Sequence, residues 1–265
     1  LTGVGPAAIE MGLVEAQEGE TQVNILAVNT QARVAAVIQT PGRQVSYEGI
    51  ARIDGVPGTS APIAVQFMET VGGVTGAFLP TGNRVDEIDG IAVTCMDVAM
   101  PMVIAKAESF GLTGYETAAE LDENRAFFDQ MEALRQKAGA LMGMGDVTKS
   151  VTPKFGLLAP AKAGGTIATR YFMPWSTHPS MAVTGAQCLA SCVLTPGTIA
   201  EGMAAKSNET PANVILEHAS GKIEVAVDYA DTATGFEIKS AGLIRTARKI
   251  AAGEVFIPRS IWAGH

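Results

Sequence analysis

The stretch Ser176-Thr177-His178-Pro179-Ser180-Met181-Ala182-Val183-Thr184-Gly185-Ala186 sets a histidine, several hydroxyls and a run of small residues directly ahead of an apolar segment ending near Leu194. Residues 166–175 read as a strand and the apolar segment as a helix, so the polar stretch is a strand-to-helix junction. Such a junction presents backbone N–H groups that lack intrahelical partners, together with the positive end of the helix macrodipole. It can hold a carboxylate without a basic side chain. The same pattern also describes a buried helix with a convenient cap, and the rest of the chain has to separate the two readings.

At 265 residues the chain is long enough for one large domain or two lobes with separate cores. Apolar residues at 47% against 17% charged exclude disorder. The longest apolar runs, such as residues 101–105, fall well short of the roughly 20 residues that cross a bilayer, so neither a signal peptide nor a membrane partner is expected. A net charge of -8 and no Lys/Arg cluster argue against nucleic acid. An anionic ligand would have to be held by local positive potential working against the global charge. Cys95, Cys188 and Cys192 form no CxxC pair, and the last two lie one helical turn apart, which favours a packed helix face over a disulfide or zinc site. A reducing cytoplasm is the expected compartment. His178, His218 and His265 are too scattered for a metal cluster, and no metal is expected.

Several elements must position the junction. A short helix follows Thr2-Gly3 and covers residues 7–14. Residues 23–28 and 32–38 form a hairpin across Asn29-Thr30-Gln31, and residues 61–67, 91–96 and 102–106 add strands, the last two joined through Asp97-Val98-Ala99-Met100-Pro101. Residues 122–142 carry Phe127, Phe128, Met131, Leu134, Ala138 and Leu141 at helical spacing and read as one helix packed on a sheet. Strands over 154–158 and 166–175 lead into the junction. A hairpin over 212–218 and 222–228 follows, and strands over 236–239, 242–250 and 254–257 close the chain. The expected fold is α+β, with two lobes, residues 1–115 and 116–265, each built from hairpins around a central apolar helix whose N-terminus faces a shared cleft. Both helix entries carry Thr-Gly, at Thr2-Gly3 and Thr184-Gly185.

Leu79-Pro80-Thr81-Gly82-Asn83, the Asp97-to-Pro101 connection and the His178-to-Cys188 motif together resemble the PrpF family, over the whole chain. That family includes 2-methylaconitate cis-trans isomerases and 4-oxalomesaconate tautomerases, and the His178-Pro-Ser-Met-Ala-Val-Thr-Gly185 form is closer to the tautomerase branch. The resemblance implies the diaminopimelate epimerase-like fold, two pseudo-symmetric lobes with sheets wrapped around a central helix. It also implies a cofactor-independent 1,3-allylic proton shift on an unsaturated tricarboxylic keto acid such as 4-oxalomesaconate, in aromatic-acid catabolism. Isomerisation of 2-methylaconitate in propionate metabolism is the alternative enzyme, and a non-catalytic binding protein retaining the fold is the alternative of another class. No G-x-G-x-x-G follows a strand, and no cofactor is expected.

Laid over the epimerase's second-lobe motif, His178 falls at the glutamate and Ala182 at the catalytic cysteine, while Thr184-Gly185-Ala186 match, so a two-cysteine racemase is excluded on this half. The epimerase's Gly-Asn-Pro-His turn falls on Ala99-Met100-Pro101-Met102 and keeps only the proline. In PrpF-like proteins a Cys-Gly-Asn motif precedes the first-lobe helix and a lysine earlier still is the usual candidate base, so the principal base is expected upstream of Leu1. The resemblance then assigns substrate binding to Thr2, Gly3, Met100, Ser180, Met181, Thr184, Gly185 and Ala186, and to His178 the orienting of substrate or the relay of a proton. A plain N-cap for Ser180, a hydrogen-bonded loop ring for His178 and core packing for Met100 are the structural alternatives. The expected partner is a small di- or tricarboxylate, and a homodimer is a possible assembly.

Overall fold

Runs of alternating apolar residues pair into a single mixed sheet that curls around its helices. The computed structural model describes residues 2–28, 32–68, 70–204, 210–232 and 235–262. In chain order the elements are α1 (Val4–Glu10), β1 (Gly19–Ala27), β2 (Ala32–Thr40), β3 (Ile63–Met68), β4 (Asp86–Ile88), β5 (Ile91–Asp97), β6 (Pro101–Lys106), α2 (Ala118–Glu123) and α3 (Arg125–Leu141), followed by β7 (Lys154–Ala159), β8 (Ile167–Met173), β9 (Ser176–Thr177), α4 (Val183–Leu194), β10 (Ala212–His218), β11 (Gly221–Thr232) and β12 (Gly235–Arg245). The strand order is β1-β2-β3-β12-β11-β10-β8-β7-β6-β5-β4, with β9 paired to β8. Pairing is antiparallel except at β6–β7 and β8–β10. The β6–β7 ladder joins segments on either side of residue 115, where the sequence suggests a division between lobes.

Each face of this sheet holds a core. Helix α4 is enclosed, with every residue from Gly185 to Leu194 buried. It packs with Met102 and Ile104 of β6, Leu216 of β10, Val225 of β11 and Leu243 of β12. Gly156 of β7 permits that approach, because a Cβ there would lie 2.9 Å from Leu189 Cδ2. Fully burying each such aliphatic side chain contributes about 1.5–3 kcal/mol, and the enclosed helix is stabilised mainly this way. Helix α1 covers a smaller core of Ile9, Val23, Val34, Ile38 and Val65. Its Pro6 sits in the first turn, where a missing N–H breaks no helical bond. Helix α3 covers a third core on the outer side of β5–β8, rich in ring contacts such as Phe127 to Phe172 at 5.1 Å.

Residues 122–142 do not form one helix. The chain breaks at Asn124, whose side chain accepts the Phe127 N–H and caps α3, while Thr117 and Glu120 form a capping box that starts α2. Local capping overrides the continuous apolar period here, since side-chain oxygens at both positions satisfy amides that would otherwise be unpaired. The strands expected at 236–239 and 242–250 are one strand, β12, and residues 254–257 form no strand. The expected turn at Asn29-Thr30-Gln31 lies outside the described residues.

Arg135 of α3 is fully buried and chelates Glu132 through Nε (2.7 Å) and Nη2 (2.8 Å), while also donating to the Val147 and Pro153 carbonyls. Arg135→Ala strands two carbonyls and an acid that this guanidinium satisfies. The expected cost is about 3–5 kcal/mol, read as a lowered urea midpoint, and an unchanged midpoint would refute that role.

Candidate active site

The junction is built by a tight reversal at the end of β8. Ser176 and Thr177 pair back onto Met173 and Phe172, and the His178 N–H extends the ladder by donating to the Tyr171 carbonyl at 2.8 Å. Asp122 of α2 fixes the outer side of this turn, its Oδ1 accepting the Thr177 N–H at 2.7 Å. The His178 ring stands edge-on to Tyr171, 5.7 Å between centroids. Its Nδ1 accepts the Ser180 N–H at 3.0 Å, so the neutral ring carries its proton on Nε2. The loop therefore sets both the orientation and the tautomer of His178.

The N-cap position of α4 is Ala182, not Ser180, and no side chain caps the helix. The first rung of the ladder is the Ala186 N–H on the Ala182 carbonyl at 2.8 Å. The Ala186 amide, expected to bind a carboxylate, is therefore committed inside the helix. The N–H groups of Val183, Thr184 and Gly185 precede that rung and find no acceptor among the described residues. Gly185 also has a packing role: a Cβ there would lie 2.4 Å from Tyr171 Cε2.

Met100 reaches this helix end from the β5–β6 turn. Its Sδ accepts from the Tyr171 hydroxyl at 3.3 Å and from the Thr184 hydroxyl at 3.4 Å, so the Thr184 hydroxyl is occupied by a weak acceptor that a stronger one can displace. The turn is held in an unusual backbone state, with Ala99 at φ 61° and its N–H donating to the Thr70 carbonyl at 2.6 Å. A non-glycine residue there costs on the order of 1 kcal/mol, which the surrounding contacts must offset. Buried Asp97 supplies part of that support, since its Oδ2 accepts the Val74 and Thr75 N–H groups and the Thr75 hydroxyl. In the Leu79-to-Asn83 motif, Thr81 and Asn83 both donate to Asp86, and Arg84 donates to the Pro196 carbonyl beyond the end of α4.

Two cavities meet the helix entry. One of about 140 Å³ is lined by Thr2 at the entry of α1 and Val183 at the entry of α4, with Val65, Phe67, Leu243 and Arg245. The expected approach of the two helix starts is thus present, with Gly3 at the N-cap of α1. The other, of about 370 Å³, is lined by Ser180, Met181, His218, Ser220, Lys222 and Arg245, and by Ile53, Asp54, Gly55 and Ile223. His178 and Met100 line neither of them. The sequence reading missed Arg245, Lys222 and His218 as site residues. The signal for Arg245 is period-two alternation: it lies two residues after buried Leu243 on β12 and so shares its face. Lys222 and His218 carried no such signal, lying at the strand ends that flank the hairpin turn. An anion at this site would meet free amides, a helix dipole and a guanidinium.

The three thiols take no part. All are buried, and desolvation pushes Cys95 and Cys192 up to about 12 and Cys188 up as well. Iodoacetamide at pH 8 is expected to leave these positions unmodified in the folded protein and to alkylate all of them in urea, as read by peptide mass spectrometry. Gly185→Ala is expected to push Tyr171 and α4 apart at about 1–3 kcal/mol in stability and to raise KM, whereas wild-type stability and KM would show that the ring yields freely.

These features can be set beside known proteins. The family model described as PrpF protein matches residues 1–258. The (4E)-oxalomesaconate Delta-isomerase of Novosphingobium sp. is 42% identical over 257 residues, covering 97% of this chain and 71% of that protein. The 4-oxalomesaconate tautomerase of Pseudomonas putida is 41% identical over 266 residues, covering 100% of this chain and 72% of that protein. The crystal structure of methylitaconate-delta-isomerase superposes with a TM-score of 0.85 at 29% identity, covering 99% of this chain and 73% of that one. The α+β architecture is the diaminopimelate epimerase-like fold, and the chain, carrying the junction motif and the paired helix entries, belongs to the PrpF family and is an isomerase.

Proposed function

We propose that this isomerase moves a proton between the ends of an allylic system in an unsaturated tricarboxylic keto acid, with 4-oxalomesaconate as the favoured substrate. The observation that carries the reading is the cavity shared by the two helix entries, lined by Thr2 and Val183 and by no acidic side chain. Removal of a proton from carbon conjugated to a carboxylate or carbonyl leaves a dienolate, and its charge collects on oxygen. Fixed amides at Val183, Thr184 and Gly185 are aligned before the reaction, so they stabilise that oxygen without reorganising, and each such donor is worth about 2.7–4 kcal/mol in a transition state. A base takes up that proton and an acid returns one at the far carbon, so atoms and electrons balance without an oxidant or reductant. The Nε2–H of His178, which lines neither cavity, is the group in the junction loop suited to donate a hydrogen bond to a substrate reaching past them, and Ser180 and Met181 shape the adjoining chamber. Thr2 and Gly3 flank the substrate from the α1 side. The names of the Novosphingobium and Pseudomonas relatives support oxalomesaconate over other acids. The likeness to methylitaconate-delta-isomerase keeps a branched dicarboxylate as the second reading.

Ultraviolet assays of the intact enzyme with 4-oxalomesaconate and with 2-methylaconitate, run in parallel in deuterated buffer, test this directly. Turnover of the first with deuterium at the far carbon is expected; no exchange with either acid would sink the reading. His178→Ala is expected to lower kcat about 100-fold with little change in stability, and normal turnover in that variant would remove the ring from the mechanism.

A further inference from the structure

Arg245 is the cation common to both cavities at the helix entry, the one beneath Thr2 and Val183 and the one beyond Ser180 and Met181. Other cations near this face are bonded elsewhere or lie outside these cavities. Lys222 Nζ donates to the Ala163 carbonyl, while Arg170, on the Glu116 and Thr169 carbonyls, and Arg248, on the Pro57 carbonyl, line neither cavity. Buried Arg135 has its own carboxylate in Glu132. Half-buried Arg245 instead makes one hydrogen bond, from Nη1 to the neighbouring Ile244 carbonyl at 3.2 Å, and no ion pair among the described residues. A guanidinium carries five N–H donors in a planar fork, so most of its capacity is unused. The acid nearest in the larger cavity, Asp54, is turned to the Lys222 backbone N–H at 2.9 Å. Burial already lowers the pKa of Arg245, which marks a cation that has lost water without gaining a partner.

The geometry points to Arg245 as the specificity-determining residue that reads an additional carboxylate. One carboxylate of the substrate occupies the free amides of α4, and the fork of Arg245 binds another that projects between the two cavities. This assignment rests on the allylic-isomerase reading for its substrate, but its test does not. A monocarboxylate can fill the amide site alone; a dicarboxylate of similar chain length fills both. A planar two-pronged contact is not reproduced by an ammonium, so lysine at this position should recover only part of the effect.

Isothermal titration of the intact protein with glutarate and with butyrate, which differ by one terminal carboxylate, reads this preference without catalysis. Wild type is expected to bind the dicarboxylate about 30-fold more tightly, the range set by hydrogen bonds to a charged group. Arg245→Gln should reduce that ratio to below about 3 while leaving butyrate binding nearly unchanged, and Arg245→Lys should fall between. Equal affinities in wild type, or an unchanged ratio in Arg245→Gln, would overturn the assignment. Should Arg245→Gln fail to fold, a wild-type ratio in Arg245→Lys would overturn it equally. Arg245-dependent preference without any deuterium exchange would sink the isomerase reading alone, while exchange with an Arg245-independent ratio would sink this inference alone.

Discussion

The enclosure of α4 is the constraint on which the rest depends. A helix whose residues from Gly185 to Leu194 are all buried must be surrounded by apolar surface, and the sheet supplies it by curling from β5 and β6 round to β10, β11 and β12. A helix buried in this way still leaves the first amides without partners. Burying those amides dry would be costly, so the helix start must lie where a ligand or water can reach it. The opening of the second lobe and its proposed anion binding therefore have the same physical origin.

The proposed anion would sit in a protein of net charge -8, where two acids direct their negative charge toward backbone amides. Asp97 is turned into the 70–78 loop, and Asp54 into a backbone amide of the β10–β11 hairpin. Val183 and Arg245 line the cavity at the helix entry, and Arg245 lines the adjoining one. The parts of the site are held by contacts around the cavities: Asp122 on the Thr177 amide, the Ser180 amide on His178, and Tyr171 against Gly185. Positioning of this kind matters because donors must be in place before charge develops.

Much of this was legible in the chain. The β10 and β11 runs alternate, the Ala219-Ser220-Gly221 turn was readable, and the small-residue helix start after a polar loop marked the junction. The legibility failed where two local signals competed. Around Asn124 the apolar period runs on, but capping by Asn124 and Thr117 divides the helix. Ser180 looks like a cap because hydroxyls favour that role, yet the chain enters the helix two residues later, at Ala182. Arg245 was passed over because one arginine at the end of a strand reads as a solvated terminus until its neighbours are known.

By itself the sequence determined the α+β class, the central apolar helix with a small-residue start, and the family to which the chain belongs, since these depend on local periodicity and on contiguous motifs. Only the tertiary structure decided which amides are free, which cations are already paired, and that Thr2 and Val183, remote in the chain, line one cavity. The reason is physical: whether a donor is available depends on every neighbour that could satisfy it. At Ala186 that neighbour is four residues away, whereas the acid sharing a cavity with Arg245, Asp54, is turned to the Lys222 amide and pairs with no arginine there.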